Sequence, residues 1–195
     1  MRVLVATHNR GKLREFEQIF AGLGLELARL DDAGIDWEVD ETGTTFEANA
    51  RLKAETYGAA TGLATLADDS GLEVDTLGGE PGVYSARYGG PGLSEVQRYE
   101  LVLEKLRGVP AERRGARFYC VIALARPGQP TLTFDGEVKG AITEGPQGSG
   151  GFGYDPVFWV TEYGCTMAEL PAEVKNRISH RARAAAKVAK DLGAR

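Results

Sequence analysis

The chain has 195 residues, of which 43% are hydrophobic and 26% charged, enough apolar material for a sizeable core and a single globular domain over residues 1–195. A formal net charge of −5 argues against a general nucleic-acid binder, which carries a basic excess; it still permits a small anionic ligand met by local cations or by a bound divalent ion. The apolar run Val3-Leu4-Val5-Ala6 is too short for a signal segment, no stretch has the length of a membrane span, and Cys120 and Cys165 lack zinc-type spacing, so a cytoplasmic protein with no membrane or nucleic-acid partner is expected.

In chain order, residues 2–6 read as a short buried strand, 7–11 as a polar turn and 12–23 as a helix with Leu13, Phe16, Phe20 and Leu23 on one stripe. Residues 25–30 alternate like a second strand, and 31–43 are acidic and irregular. A helix is expected from about Thr45 to Gly62, opened by a Thr44/Glu47 capping box. Residues 63–67 form a short strand running into Asp68-Asp69-Ser70-Gly71. After a glycine- and proline-rich loop (78–92), Ser94 and Gln97 cap a third helix to 107, with Val96, Tyr99, Leu103 and Leu106 as its apolar stripe. Long strands are expected over 117–125 and 131–143, with Cys120 as a buried thiol, then a shorter strand over 157–160 and an alanine-rich helix over 171–192. Interspersed strands and helices predict an α/β fold with a mixed sheet.

Several stretches are more polar, or richer in glycine, than packing requires. Thr7, His8, Asn9, Arg10, Gly11 and Lys12 sit at a strand end and helix start, where free N–H groups and the helix dipole favour an anion; a plain capped helix start is the alternative. Asp68 and Asp69 are hard oxygen ligands suited to Mg²⁺, though Asp, Ser and Gly also make turns. They point to opposite sides if strand geometry persists. Glu41, within Asp40-Glu41-Thr42-Gly43, offers a further carboxylate, or is part of a solvated acidic loop. In Gly148-Ser149-Gly150-Gly151-Phe152-Gly153-Tyr154-Asp155-Pro156 the glycines allow close backbone approach and an aromatic side chain suits stacking on a base; a loop with a buried aromatic anchor is as good a reading. Lys175, His180 and Arg181 lie on the last helix, where basic residues usually form a solvated face.

Together these stretches resemble the inosine/xanthosine triphosphate pyrophosphatase family. The likeness is carried by ATHNRGKLREF, ETGTTFEANARLKA, LADDSGLEVDTLGGEPGVYSARYGG, ARFYCVIAL, GSGGFGYDPVF and AELPAEVKNRISHRARA, in that order and nearly end to end. His8 stands where bacterial members often have glycine. The resemblance implies an elongated mixed β-sheet flanked by helices, two lobes around a central cleft, a homodimer and Mg²⁺ dependence. It implies that residues 7–12 hold the triphosphate, Glu41 and Asp69 bind Mg²⁺, and Asp69 is also the general base. By the same resemblance Ser70 touches substrate; Phe152, Gly153, Tyr154 and Asp155 line the base and sugar site; and Lys175, His180 and Arg181 complete nucleotide recognition. Asn49 and Lys53, four apart on one helix face, are expected toward the phosphates.

The implied reaction hydrolyses ITP, dITP or XTP between the α- and β-phosphorus. Arg181, a donor-only side chain, would bond a 6-oxo purine but meet the 6-amino group of adenine unpaired. Rejection of guanine then needs a separate cause, such as exclusion of its 2-amino group. A phosphatase releasing orthophosphate, a nucleotide-sensing module and a purely structural α/β domain are the rival readings.

Overall fold

The computed structural model describes residues 1–21 and 23–193. Seven strands form one sheet in the order β2-β1-β3-β4-β5-β6-β7. They are β1 (Arg2–Val5), β2 (Glu26–Arg29), β3 (Ala64–Val74), β4 (Gly115–Ala125), β5 (Leu132–Ile142), β6 (Phe158–Val160) and β7 (Cys165–Thr166). β1 runs parallel to β2 and β3, whereas β5, β6 and β7 pair antiparallel. The helices are α1 (Arg10–Ile19), α2 (Phe46–Thr61), α3 (Glu95–Lys105), α4 (Ala172–Ile178) and α5 (His180–Asp191). This is the mixed α/β sheet expected from the sequence. No helix among the described residues is long and apolar enough to cross a membrane.

The chain divides into two compact units. The first comprises Met1–Asp69, Cys120–Gly136 and the described residues from His180 onward. Its core joins Val3 and Val5 of β1, Phe16 of α1, Leu66 of β3, Cys120, Ile122 and Leu124 of β4, and Ala184, Ala185 and Val188 of α5. Cys120 is the buried thiol anticipated. The second unit comprises Ser70–Tyr119 and Glu137–Ser179. Leu72, Val102, Leu106, Val157, Phe158 and Met167 are among its fully buried residues.

Several boundaries differ from the sequence reading. Asp68 and Asp69 do not follow the end of a short strand; both lie within the eleven residues of β3. A turn-forming composition is overridden here because both carboxylates find buried partners. α1 begins at Arg10 and ends at Ile19, so Leu23 lies outside it. The cap of α2 is Thr45, whose side chain accepts from Ala48 N–H, one residue after the expected Thr44. The Ser94/Gln97 capping box forms as expected, but Val96 is exposed; the buried residues of α3 are Tyr99 and Val102, with Leu106 buried at its C-cap. The single closing helix is two: Ser179 has an extended backbone (φ −61°, ψ 157°) that separates α4 from α5.

Candidate active site

In the first unit, β1 delivers the chain to a polar turn. Asn9 caps α1, its side chain accepting from Gly11 N–H at 2.8 Å and Lys12 N–H at 3.0 Å, while Asn9 N–H donates to Thr7 Oγ1 at 3.1 Å. The sequence reading left these amides free for a phosphate; two of them are spent on the cap. The Lys12 ammonium instead supplies the charge, and it lies 3.1 Å from Asp68 Oδ2. His8 and Arg10 are exposed, and His8 Nε2 lies 3.2 Å from the Trp37 carbonyl.

Asp68 is an electrostatic hub. Its Oδ2 also accepts from Arg181 Nε at 3.2 Å and Nη2 at 3.0 Å, with the Cys120 thiol at 3.9 Å. Arg181 Nη1 donates to Glu15 of α1. Burial alone would raise the Asp68 carboxyl, but Lys12, Arg181 and Lys53 outweigh it and hold the group well below the usual carboxylate range. Burial likewise lowers and the two carboxylates more strongly raise the Arg181 guanidinium, so it stays charged.

Asp69 faces other partners, as strand alternation requires. Its Oδ2 accepts from Asn49 Nδ2 at 3.0 Å, and its Oδ1 is 4.0 Å from Lys53 Nζ. The same ammonium donates to Glu41 Oε1. Asn49 Oδ1 accepts from Gly43 N–H at 2.8 Å, tying the acidic segment to α2. A Cβ on Gly43 would stand 2.5 Å from that oxygen, so the residue must be glycine for the approach. Asn49 and Lys53, expected toward phosphates, thus bind Glu41, Gly43 and Asp69 in the structure. Burial raises the Asp69 carboxyl above an ordinary aspartate, against the lowering effect of Lys53 and Lys12.

Among these side chains Lys12, Lys53 and Arg181 face four carboxylates, Glu15, Glu41, Asp68 and Asp69. One negative charge is in excess. Among the described residues no three His, Cys, Asp or Glu side chains are grouped to hold a metal by themselves. Two carboxylates with one ammonium between them still fit Mg²⁺, which commonly uses one or two carboxylates and takes its other ligands from water and phosphate.

A second cluster lies in the other unit. Asp155 Oδ2 accepts from Phe152 N–H at 2.9 Å and from Lys175 Nζ, and Lys175 Nζ stands 4.7 Å from the centroid of the Phe152 ring. Tyr154 donates its hydroxyl to the Ser85 carbonyl at 2.8 Å, and Gly153 N–H donates to Glu95 at 2.9 Å. Ser70 is half-buried at the start of this unit.

The last helices differ most from expectation. Lys175, His180 and Arg181 are buried, not a solvated face. The donors of Arg181 assigned to a purine oxygen already meet Glu15 and Asp68. Sequence reasoning missed Glu15, because Glu15 and Glu17 flank Phe16 alike in the sequence and only the fold buries Glu15 against Arg181. It also missed Glu95 and Ser85, surface-type residues in sequence whose partners are distant.

A family model for the Ham1 family matches residues 3–191. A relative from Geobacter sulfurreducens named dITP/XTP pyrophosphatase is 53% identical over 98% of this chain and 96% of its own. One of the same name from Listeria monocytogenes is 50% identical over 98% and 94%. The Staphylococcus aureus Ham1 protein structure aligns with TM-score 0.89 at 41% identity, covering 99% of this chain and 98% of that one. A structure described as nucleoside-triphosphatase / dITP/XTP pyrophosphatase from Mycobacterium abscessus aligns with TM-score 0.78 at 44% identity over 96% and 98%. With carboxylates and amines so arranged, and with matches of this extent, the chain belongs to the Ham1 family.

Proposed function

We propose that this protein is a Mg²⁺-dependent pyrophosphatase that converts non-standard purine nucleoside triphosphates (ITP, dITP, XTP) to the monophosphate and pyrophosphate. The observation that carries the reading is the convergence of Glu41 and Asp69, from distant chain segments, on one ammonium, with Lys12 held beside the adjacent Asp68. The names of the relatives, dITP/XTP pyrophosphatase, support the substrate class. We take residues 1–195 as one catalytic domain acting in the cytoplasm; the family resemblance supports a homodimer.

In this reading Thr7, His8, Asn9, Arg10, Gly11 and Lys12 receive the triphosphate. Lys12 and Lys53 offset charge on the leaving pyrophosphate. Glu41 and Asp69 would hold Mg²⁺, which supplies charge neutralisation and a more acidic water. Asp69 orients the attacking water and takes its proton. Asn49 fixes the carboxylate that does so. Ser70 contacts substrate, and Phe152, Gly153, Tyr154, Asp155 and Lys175 receive base and sugar. His180 and Arg181 complete recognition. The Arg181 donors already meet Glu15 and Asp68, so the preference for 6-oxo purines over adenine rests on the substrate class that the relatives' names carry.

A panel of nucleoside triphosphates with Mg²⁺, assayed separately for pyrophosphate and orthophosphate, tests this. Pyrophosphate from dITP and XTP, at least about tenfold faster than from ATP, is expected. Orthophosphate as the first product, or equal cleavage of ATP, would sink the reading.

A further inference from the structure

We propose that the Lys53 ammonium and a divalent cation compete for Glu41 and Asp69, so that metal entry drives Lys53 off Glu41 and toward the triphosphate. This deepens the reading above and rests on it. The ammonium donates to Glu41 Oε1 and stands 4.0 Å from Asp69 Oδ1, so it fills the position that a cation shared by those carboxylates would take. All three side chains are largely enclosed, at 13%, 23% and 7% exposure for Lys53, Glu41 and Asp69.

The Asp69 carboxylate and the backbone that carries Glu41 are the fixed part. Asn49 holds Asp69 with its amide nitrogen and the acidic segment, at Gly43, with its amide oxygen. Asn49 and Lys53 lie four apart on α2, hence on one face, so both carboxylates and the ammonium are referenced to a single helix. Lys53 is the movable part, a point charge on a flexible four-carbon stem. An ammonium and a divalent ion cannot share this space, because like charges about 4 Å apart repel strongly at low effective dielectric. The metal therefore has to displace the ammonium, and the nearest gain for the displaced charge is a phosphate oxygen. Free metal should bind weakly, and metal and nucleotide should strengthen one another. A static strut would behave differently: removing it would loosen both carboxylates and weaken metal binding.

The test is a nucleotide-free Mn²⁺ titration, read by electron paramagnetic resonance, on wild type, Lys53→Met and Lys53→Arg. Lys53→Met, which removes the competing charge, should bind Mn²⁺ at least about tenfold tighter than wild type, and Lys53→Arg should stay near wild type. Equal or weaker binding by a folded Lys53→Met overturns the proposal. Nitrogen NMR of the lysine ammonium groups in wild type decides the matter without any variant: the Lys53 signal should shift on adding Mg²⁺, and an unmoved signal at saturating Mg²⁺ overturns it. Pyrophosphate release from dITP, measured alongside, separates the two readings. If release persists while the exchange fails, only the exchange is lost; if wild type neither binds Mn²⁺ nor releases pyrophosphate, both fail.

Discussion

Asp68 and Arg181, 113 residues apart in the chain, form a buried pair in which one carboxylate oxygen takes both Nε and Nη2 of the guanidinium at 3.2 and 3.0 Å. Lys12 reaches that same oxygen. Removing one member of a buried ion pair leaves the other charge uncompensated and costs about 3–5 kcal/mol. Asp68→Asn should therefore destabilise the protein by about that amount in urea denaturation, and should slacken Lys12. The pH dependence has a definite sign. The Asp68 carboxyl lies below its unfolded value of 3.8 in the folded state, so its contribution is fully present above that value and is lost as pH falls below it. Wild type and Asp68→Asn should differ most at neutral pH and converge in acid. A gap that stays constant down the acid limb would contradict this account.

Asp69 predicts the opposite effect on stability. Its pKa is raised in the fold, chiefly by burial, so the folded state favours the protonated form, and ionisation at neutral pH costs stability. Asp69→Asn should keep an acceptor for Asn49 while removing that cost. In metal-free buffer the variant should be about 1 kcal/mol more stable than wild type, as is common where an active site trades stability for function. Its turnover of dITP should fall by about 10²–10⁴-fold. Thermal denaturation beside a pyrophosphate assay checks both; a variant that is less stable and still active removes Asp69 from its proposed role.

Most of the first unit could be read from residue order. The β1 strand, the stripe of Leu13, Phe16 and Phe20 and the apolar run around Cys120 are local periodic signals; the two strands formed close to where expected, and α1 formed with both ends shifted toward the N-terminus. Asp68 and Asp69 showed the limit. Their composition favours a turn, and partners supplied from other segments, among them Arg181, Lys12, Lys53 and Asn49, make a buried strand position tolerable. The break at Ser179 was hidden for a similar reason: serine is compatible with a helix, and nothing local demands the extended backbone it adopts. The burial of Lys175 and Arg181 was equally invisible, because a basic residue looks solvated until its carboxylate is found.

Arg114 makes a separate prediction about the second unit. Its guanidinium is buried and donates to the backbone carbonyls of Ile142 at 2.7 Å, Leu106 at 2.9 Å and Thr143 at 2.6 Å, with a longer contact to Val109 at 3.5 Å. These contacts join the end of α3 to β5. Arg114→Met would strand the Ile142 and Thr143 carbonyls, whereas Leu106 keeps Val109 N–H as a donor, and each buried acceptor left unmet costs about 1–3 kcal/mol. A loss of about 2 kcal/mol or more is expected in chemical denaturation, and Arg114→Lys should recover only part of it, because one ammonium lacks the fork that reaches these carbonyls together. Full recovery by lysine would show that charge, not geometry, is what the site requires.

Gly151 tests the second cluster without substituting a charged residue. Its φ of +71° is a conformation that side-chain-bearing residues rarely adopt, and an added Cβ would lie 2.0 Å from Asp155 Oδ2. That oxygen receives Phe152 N–H and Lys175, so Gly151→Ala must displace the carboxylate on which the Phe152–Lys175 stack depends. Asp69, Glu41 and Lys12 belong to the other unit and are left unaltered. If the second cluster binds the base, the defect should appear in KM for dITP, raised about tenfold or more, with kcat changed far less, the pattern of lost binding shared by ground and transition states. Inorganic triphosphate, which has no base, should bind the variant as well as wild type. A Gly151→Ala enzyme that loses kcat at unchanged KM would mean that Asp155 and Lys175 serve the chemical step and not the purine.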